Sequence, residues 1–160
     1  MRWFWIDRFV EFESGRRAVA LKNVTMAEEH LHDHVPGFPV MPASLMIEGM
    51  AQTAGILVGE ARGFREKVIL AKIRRATFEG IAGPGEQLRY EAVLETLSDA
   101  GAQTTGTVTC DGREIGRVDL MFSHIDRNMS GLAFPEENFV FTEEFMGLLG
   151  TFLPGRGGAG

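Results

Sequence analysis

The chain has 160 residues, of which 44% are hydrophobic and 24% are charged, and its formal net charge is −6. These values are typical of a single globular domain with one core, and they argue against nucleic acid as a default partner because phosphate binding needs a basic surface. Cys110 is the only cysteine, which excludes an intrachain disulfide and favours a reducing compartment, so a cytoplasmic location is expected.

The N-terminal part predicts a β-hairpin. Residues 6–13 and 17–24 are rich in β-forming side chains, and Ser14-Gly15 between them is a typical turn. Charged side chains interrupt the first of these runs too early for a secretory signal peptide. Thr25 is expected to cap a short helical turn, with Glu28 as its capping-box partner.

The next element is a long central helix, predicted from about Ala43 to about Arg62 and opened by Pro42. Ser44, Glu48 and Gln52 follow one another at helical spacing and form one polar line on an otherwise apolar helix, which predicts burial of the helix. Glu48 has two interpretations. Arg or backbone donors could satisfy the carboxylate, or the apolar setting could raise its pKa so that it holds and delivers a proton near neutral pH.

Four further strands are predicted after the helix, separated by turns that contain glycine. The turn Asp111-Gly112 is the strongest hairpin signal of the chain, because it stands between two runs of alternating polarity. Two strands, a helix and four strands indicate an α+β fold with an antiparallel sheet. The four predicted strands span residues 67–78, 86–96, 103–110 and 113–125.

The C-terminal part differs from the rest, and we predict a domain over residues 1–125 and an extension over 126–160. Thr142 precedes a short apolar stretch and is expected to cap a helix there. The glycine-rich end, from Arg156 to Gly160, is expected to fray. The extension is either a lid or partner-docking segment, or an appendix that covers apolar surface.

Three alternating histidines, His30, His32 and His34, suggest a metal site at first, since imidazole is a common metal ligand. The sequence HLHDH is, however, one residue short of the H-x-H-x-D-H pattern of binuclear metallohydrolases, and only His124 remains downstream to complete a site. The alternative is that one histidine acts as a base. His34 is the candidate, because Pro36 and Gly37 directly after it can fix an unusual loop conformation.

Three neighbouring motifs carry a resemblance to a known family: HVPG from His34, PVMP from Pro39 and EGMAQ from Glu48. Over about residues 4 to 124 the chain resembles the 3-hydroxyacyl-acyl-carrier-protein dehydratases of bacterial fatty-acid synthesis, which have the hotdog fold. The resemblance implies an antiparallel sheet wrapped around one long helix. It also implies a homodimer, either by itself or assembled into a trimer of dimers, and an acyl carrier protein as the partner that presents the substrate.

The resemblance also assigns roles to residues. His34 of one subunit would remove a proton from C2 of a (3R)-hydroxyacyl thioester, and Glu48 of the other subunit would protonate the departing C3 hydroxyl. Backbone groups of Val35, Gly37 and Ala43 would position the thioester. The polar side chains of Gln52 and Ser44 would support the acid. Neither a cofactor nor a metal is implied.

The chain departs from the family pattern at several positions. Alanine stands at position 43 and aspartate at position 33, where the family usually has glycine, and Gly49 replaces an alanine. Glu79-Gly80 occupies a place where relatives often carry basic residues. Two other functions stay open at this point: a hotdog thioesterase that uses Glu48 to direct water at the carbonyl, or a non-catalytic acyl-binding module.

Overall fold

The computed structural model describes residues 4–125 and 135–154. No helix within these two ranges is long and apolar enough to cross a membrane. The elements follow in the order β1 (Arg8–Glu13), β2 (Arg17–Asn23), α1 (His30–Asp33), α2 (Ala43–Ala61), β3 (Val68–Phe78), β4 (Gln87–Leu97), β5 (Gly101–Cys110), β6 (Arg113–His124) and α3 (Glu143–Phe152).

The six strands form one sheet in the order β1-β2-β4-β5-β6-β3, and every neighbouring pair is antiparallel. This confirms the predicted α+β class. The β5–β6 hairpin turns at Asp111 and Gly112, which have φ values of 46° and 82°. Positive φ at both central residues is what a type I′ turn requires, so the local sequence dictates this hairpin.

The sheet curls around α2, and small residues permit close packing. Met50 and Leu57 of the helix are fully buried against the strands. A Cβ atom on Gly106 of β5 would lie 2.5 Å from Sδ of Met50, and one on Gly49 of α2 would lie 2.5 Å from the ring of Tyr90. Glycine at these two positions therefore lets the helix and the sheet approach each other more closely than alanine would.

The predicted burial of α2 is confirmed over most of the helix, but it is wrong for Glu48 and for the N-terminal end in a single chain. Ala43, Ser44 and Glu48 are exposed, whereas the helix is buried from Gly49 to Ala51 and over much of its remaining length. The physical reason is that one sheet covers only one side of a helix. The side that carries Glu48 is left open along part of the helix.

The predicted capping turn before α2 is present, and the Thr25 hydroxyl accepts a hydrogen bond from the Ala27 N–H over 3.3 Å. The helix α1 follows this turn and begins at His30 with Glu29 as its N-cap. Thr25 and Glu28 do pair, since the Thr25 N–H donates to Glu28 Oε2 over 3.2 Å, but they close a turn that precedes the helix. The Glu28 carboxylate also accepts a hydrogen bond from Lys22 Nζ over 2.6 Å.

The C-terminal helix α3 forms where the sequence predicts it. The hydroxyl of Thr142 accepts a hydrogen bond from the Phe145 N–H over 3.3 Å, which confirms the N-cap. The expected fraying from Arg156 onward lies outside the described residues, as does the connection 126–134. The division into a domain and an extension stays a prediction.

Candidate active site

The polar line on α2 is partly assembled into a hydrogen-bond relay. Gln52 Nε2 donates to Glu48 Oε1 over 2.9 Å, and the backbone N–H of Trp5 donates to Gln52 Oε1 over 2.7 Å. The amide of Gln52 is thereby oriented with its NH₂ group toward the carboxylate. Ser44, the third member of the line, is exposed one turn closer to the helix start.

His34 follows α1 directly and its side chain is exposed in the single chain. The next four residues form a tight turn in which the Phe38 N–H donates to the Val35 carbonyl over 2.9 Å. Gly37 has φ +78°, and Pro36 precedes it, which matches a type II turn. The predicted role of Pro36 and Gly37 in fixing the loop is confirmed.

The start of α2 offers backbone donors without a side-chain cap. Pro42 is the N-cap residue, no side chain caps this end, and the first turn contains no acidic residue. In the described ranges, the non-glycine residues with positive φ are Phe64 and Asp111. Ala43 therefore has ordinary helical geometry, and alanine instead of glycine causes no backbone strain at this position.

The side chains of His30 and His32 both interact with other residues of the same chain. The His32 Nε2 atom lies 2.7 Å from the Met26 carbonyl oxygen. The His30 ring packs edge-on against Trp5 at 5.1 Å, and burial lowers the pKa of His30. Within residues 4–125 and 135–154, no group of three His, Cys, Asp or Glu side chains is arranged to hold a metal ion.

Trp5 was not singled out by the sequence analysis. Its backbone holds Gln52, its ring packs on His30, and Lys22 Nζ lies 5.7 Å from the centre of the same ring. One N-terminal residue thus connects the acid on α2 with the helix that leads into His34. The only sequence signal for it is the aromatic character of the N-terminus.

A pocket of about 390 Å³ opens beside Glu48, which is within the usual range of small-molecule sites. Glu48 and Gln52 provide its polar side, and the other lining residues are apolar. They come from α2, from the adjacent β3 and β6, and from both ends of the described chain: Phe4, Ala51, Gly55, Ile56, Val68, Leu70, Phe122, Val140, Phe141 and Phe145.

The structure brings Glu48 and Gln52 together but does not join His34 to Glu48 within one chain. Across the described residues, no hydrogen bond or ion pair links the two side chains, and both are exposed. The predicted roles of His34, Glu48, Val35, Gly37, Ala43, Gln52 and Ser44 therefore stay predictions. A pocket with one polar end and an apolar depth is suited to an amphipathic ligand with a reactive head and an apolar tail.

Comparison with solved structures shows which class of fold this is. The dehydratase heterocomplex ApeI:P from Xenorhabdus doucetiae superimposes with a TM-score of 0.63, over 76% of this chain and 82% of that chain, at 17% identity. Identity this low shows the fold alone. It identifies the molecule as a hotdog-fold protein, which confirms the predicted fold class.

Sequence comparison is more specific. Residues 3–119 match the model of the FabA-like domain. The chain is 37% identical over 119 residues to the 3-hydroxyacyl-acyl-carrier-protein dehydratase FabZ of Bacillus pumilus, which covers 74% of this chain and 83% of that protein. It is 38% identical to the dehydratase FabZ of Pelotomaculum thermopropionicum, over 74% and 85% of the two chains. The chain belongs to the FabA-like family.

Proposed function

We propose that this protein dehydrates (3R)-3-hydroxyacyl thioesters on acyl carrier protein to trans-2-enoyl thioesters in fatty-acid or related acyl-chain biosynthesis. The observation that carries the proposal is the carboxylate of Glu48, held by Gln52 at the polar end of an otherwise apolar pocket. The curated relatives at 37% and 38% identity are named for this dehydration. A reactive carboxyl beside an apolar pocket is the arrangement that such a substrate needs.

The chemistry divides between two side chains. The imidazole of His34 removes a proton from C2, and the electron pair of that C–H bond forms the C2–C3 double bond. Glu48, protonated at the start, gives its proton to the C3 hydroxyl as the C3–O bond breaks, and water leaves. A well-placed acid or base of this kind contributes about 10²–10⁴ in rate.

The thioester oxygen gains negative charge while C2 loses its proton. Backbone N–H groups stabilise such charge when they are fixed in advance. The uncapped start of α2 at Ala43 and the rigid turn from Val35 to Gly37 are the groups we propose for this role. Ser44 stands beside Ala43, and Gln52 orients Glu48.

The proposed assembly is a homodimer that completes the site. The β3 edge of the sheet has no neighbouring strand among the described residues, and its side chains Leu70 and Ile73 are 39% and 44% exposed. Natural proteins rarely leave the outer edge of an 11-residue strand open in this way. Pairing with a second copy covers this edge, and it supplies a neighbouring chain whose His34 can face Glu48. A trimer of dimers and a cytoplasmic location stay predictions.

The test separates dehydration from hydrolysis. Enoyl and 3-hydroxyacyl thioesters of acyl carrier protein are incubated with the protein, and hydration and thiol release are followed separately. We expect reversible hydration, reduced by about 10²–10⁴ in His34→Ala and in Glu48→Gln because each variant removes one proton-transfer group. Glu60→Gln, which makes the same change further along α2, is the matched control and retains activity.

Other outcomes would reject this function. Thiol release without hydration would indicate a thioesterase. Binding of the acyl chain without turnover of either kind would indicate a non-catalytic module. Activity that persists in Glu48→Gln would remove this residue from the mechanism.

A further inference from the structure

We propose that residues 138–152, here called the tail segment, form the floor of the pocket and set an upper limit on acyl-chain length. The inference rests on the proposed function for the identity of the ligand. The tail segment supplies Val140, Phe141 and Phe145 to the pocket lining, and the Phe141 ring lies at Gly59, about three turns of α2 beyond Glu48. It also lies beyond the match to the family model, which ends at residue 119.

Asn138 anchors the tail segment to the chain that leaves α2. Its Nδ2 group donates to the backbone carbonyls of Phe64 and Glu66 over 3.1 and 3.3 Å. Its Oδ1 atom accepts from the backbone N–H groups of Val140 and Phe141 over 3.0 and 2.9 Å. One amide side chain thus makes four hydrogen bonds and fixes where the following residues enter the pocket.

The ring of Phe141 packs into space on the surface of α2 that is open because residue 59 is glycine. A Cβ atom on Gly59 would lie 2.3 Å from the Phe141 ring, so only glycine at position 59 admits the ring. The ring also packs against Phe64 at 5.0 Å, and Phe141 is 8% exposed. Its position is fixed by contacts on two sides, as a pocket floor requires.

The helix α3 contributes to the same floor, since its Phe145 also lines the pocket. The Phe145 ring lies 5.6 Å from Phe141 and stacks on Phe4 at 5.7 Å. Phe4 stacks on Phe152 as well, and Leu149 is buried. The aromatic cluster joins both ends of the described chain at the pocket wall, since Phe4 and Phe145 both line the pocket.

Helix geometry gives the length of the space between acid and floor. Glu48 and Ile56 are eight residues apart, or about 12 Å along the axis, and Gly59 is about 16 Å from Glu48. An extended alkyl chain with C–C bonds of about 1.5 Å advances about 1.25 Å per carbon. The distance of about 12 Å to Ile56, the last α2 residue that lines the pocket, corresponds to roughly ten carbons, and the Phe141 ring lies beyond it against Gly59.

The experiment measures binding apart from turnover. Pantetheine thioethers with alkyl chains of four to sixteen carbons cannot react, and their dissociation constants are measured by calorimetry. We expect affinity to rise about fourfold per added methylene, the value for full burial, up to roughly ten carbons, and then to stop rising. Phe141→Ala removes the floor and extends the rise by about two to four carbons, whereas Val140→Phe shortens it.

Met146→Ala is the matched control, since Met146 lies on α3 next to Phe145 but outside the pocket lining and is partly exposed. In this variant the affinity is expected to stop rising at the same chain length as in the wild type, which is here called the break in the length series. If Phe141→Ala fails to fold, Val140→Phe provides the test, because it is expected to lower the chain length at which affinity stops rising. General destabilisation would weaken binding at all chain lengths alike and would not lower this limit.

Three results would overturn the inference: no binding at any length, affinity that rises through sixteen carbons in the wild type, or a break that stays in place in the folded pocket variants. Failure of the proposed function gives a different pattern. In that case the break in binding shifts as expected, but the matching thioesters are not hydrated.

Discussion

At the scale of single residues, Gly49 shows how a departure from the family pattern is compensated. Glycine stands here in place of the family's usual alanine, and the structure gives the reason. The ring of Tyr90, a buried residue of β4, occupies the space that an alanine Cβ would need. Burial raises the pKa of Tyr90, so the phenol stays neutral within the core.

We predict that Gly49→Ala destabilises the protein by about 1–3 kcal/mol, because the added methyl overpacks the core against Tyr90. Urea unfolding measures the change. The double variant Gly49→Ala, Tyr90→Leu is expected to show less than the sum of the two single effects, since the smaller side chain makes room for the methyl.

Gly150→Ala in α3 is the control, because a Cβ at that position meets nothing within 4 Å. It is expected to be neutral or slightly stabilising, since alanine is the better helix former. Equal losses at positions 49 and 150 would contradict the steric explanation.

At the scale of elements, the turn after His34 is where backbone geometry and the proposed chemistry meet. Gly37 has a positive φ and a Cβ there would meet no neighbour within 4 Å. A substitution at this position therefore tests conformation without adding a clash. The turn holds the loop on which the candidate base lies.

Gly37→Ala is predicted to strain the turn by about 1–2 kcal/mol, the cost of a left-handed conformation with a Cβ, and to lower kcat for dehydration. Steady-state kinetics and thermal unfolding are measured together. Gly15→Ala, at φ +68° in the β1–β2 turn, imposes a similar strain away from the site. It should lower thermal stability and leave kcat unchanged; an equal loss of kcat in both variants would refute a local role for Gly37.

The elements show what the sequence could reveal and what it could not. The Asp111-Gly112 hairpin and the Thr142 cap were predicted because neighbouring residues determine them. The relay from Gln52 to Glu48 followed from helical spacing, but its third member, Trp5, is 47 residues away from Gln52. A contact between residues this far apart in the sequence produces no local sequence pattern from which it could be predicted.

The same holds for the tail segment. Gly59 and Phe141 are 82 positions apart in the chain, and neither stands in a motif. Their fit depends on how α2, β3 and the tail segment pack. The exposure of Glu48 likewise depends on how far one sheet reaches around the helix, which periodicity alone does not reveal.

At the scale of the whole molecule, the separation of His34 from Glu48 leads to a mixing experiment. His34→Ala and Glu48→Gln are each expected to be nearly inactive. In a heterodimer of the two with a shared site, one site carries both substitutions and the other carries neither. Subunits mixed after mild dissociation should therefore recover about a quarter of wild-type activity, by the two-fold symmetry of such a dimer.

The control mixes each variant with itself under the same conditions and yields no recovery. Activity is measured as enoyl hydration, and the exchange of subunits is confirmed by native mass spectrometry of differently tagged chains. Exchanged heterodimers without activity would mean that the two residues do not act at one site.

The contact of Phe141 with Gly59 carries a consequence for how such a protein changes over generations. In the proposed mechanism the proton-transfer groups lie in the segment from His34 to Gln52, whereas the tail segment proposed to limit the pocket depth is encoded about 90 codons downstream. Drift in the tail segment could retune substrate length while every proton-transfer group stays as it is. The reaction and the limit on chain length would then change separately, although the tail segment and α2 are in contact at Gly59.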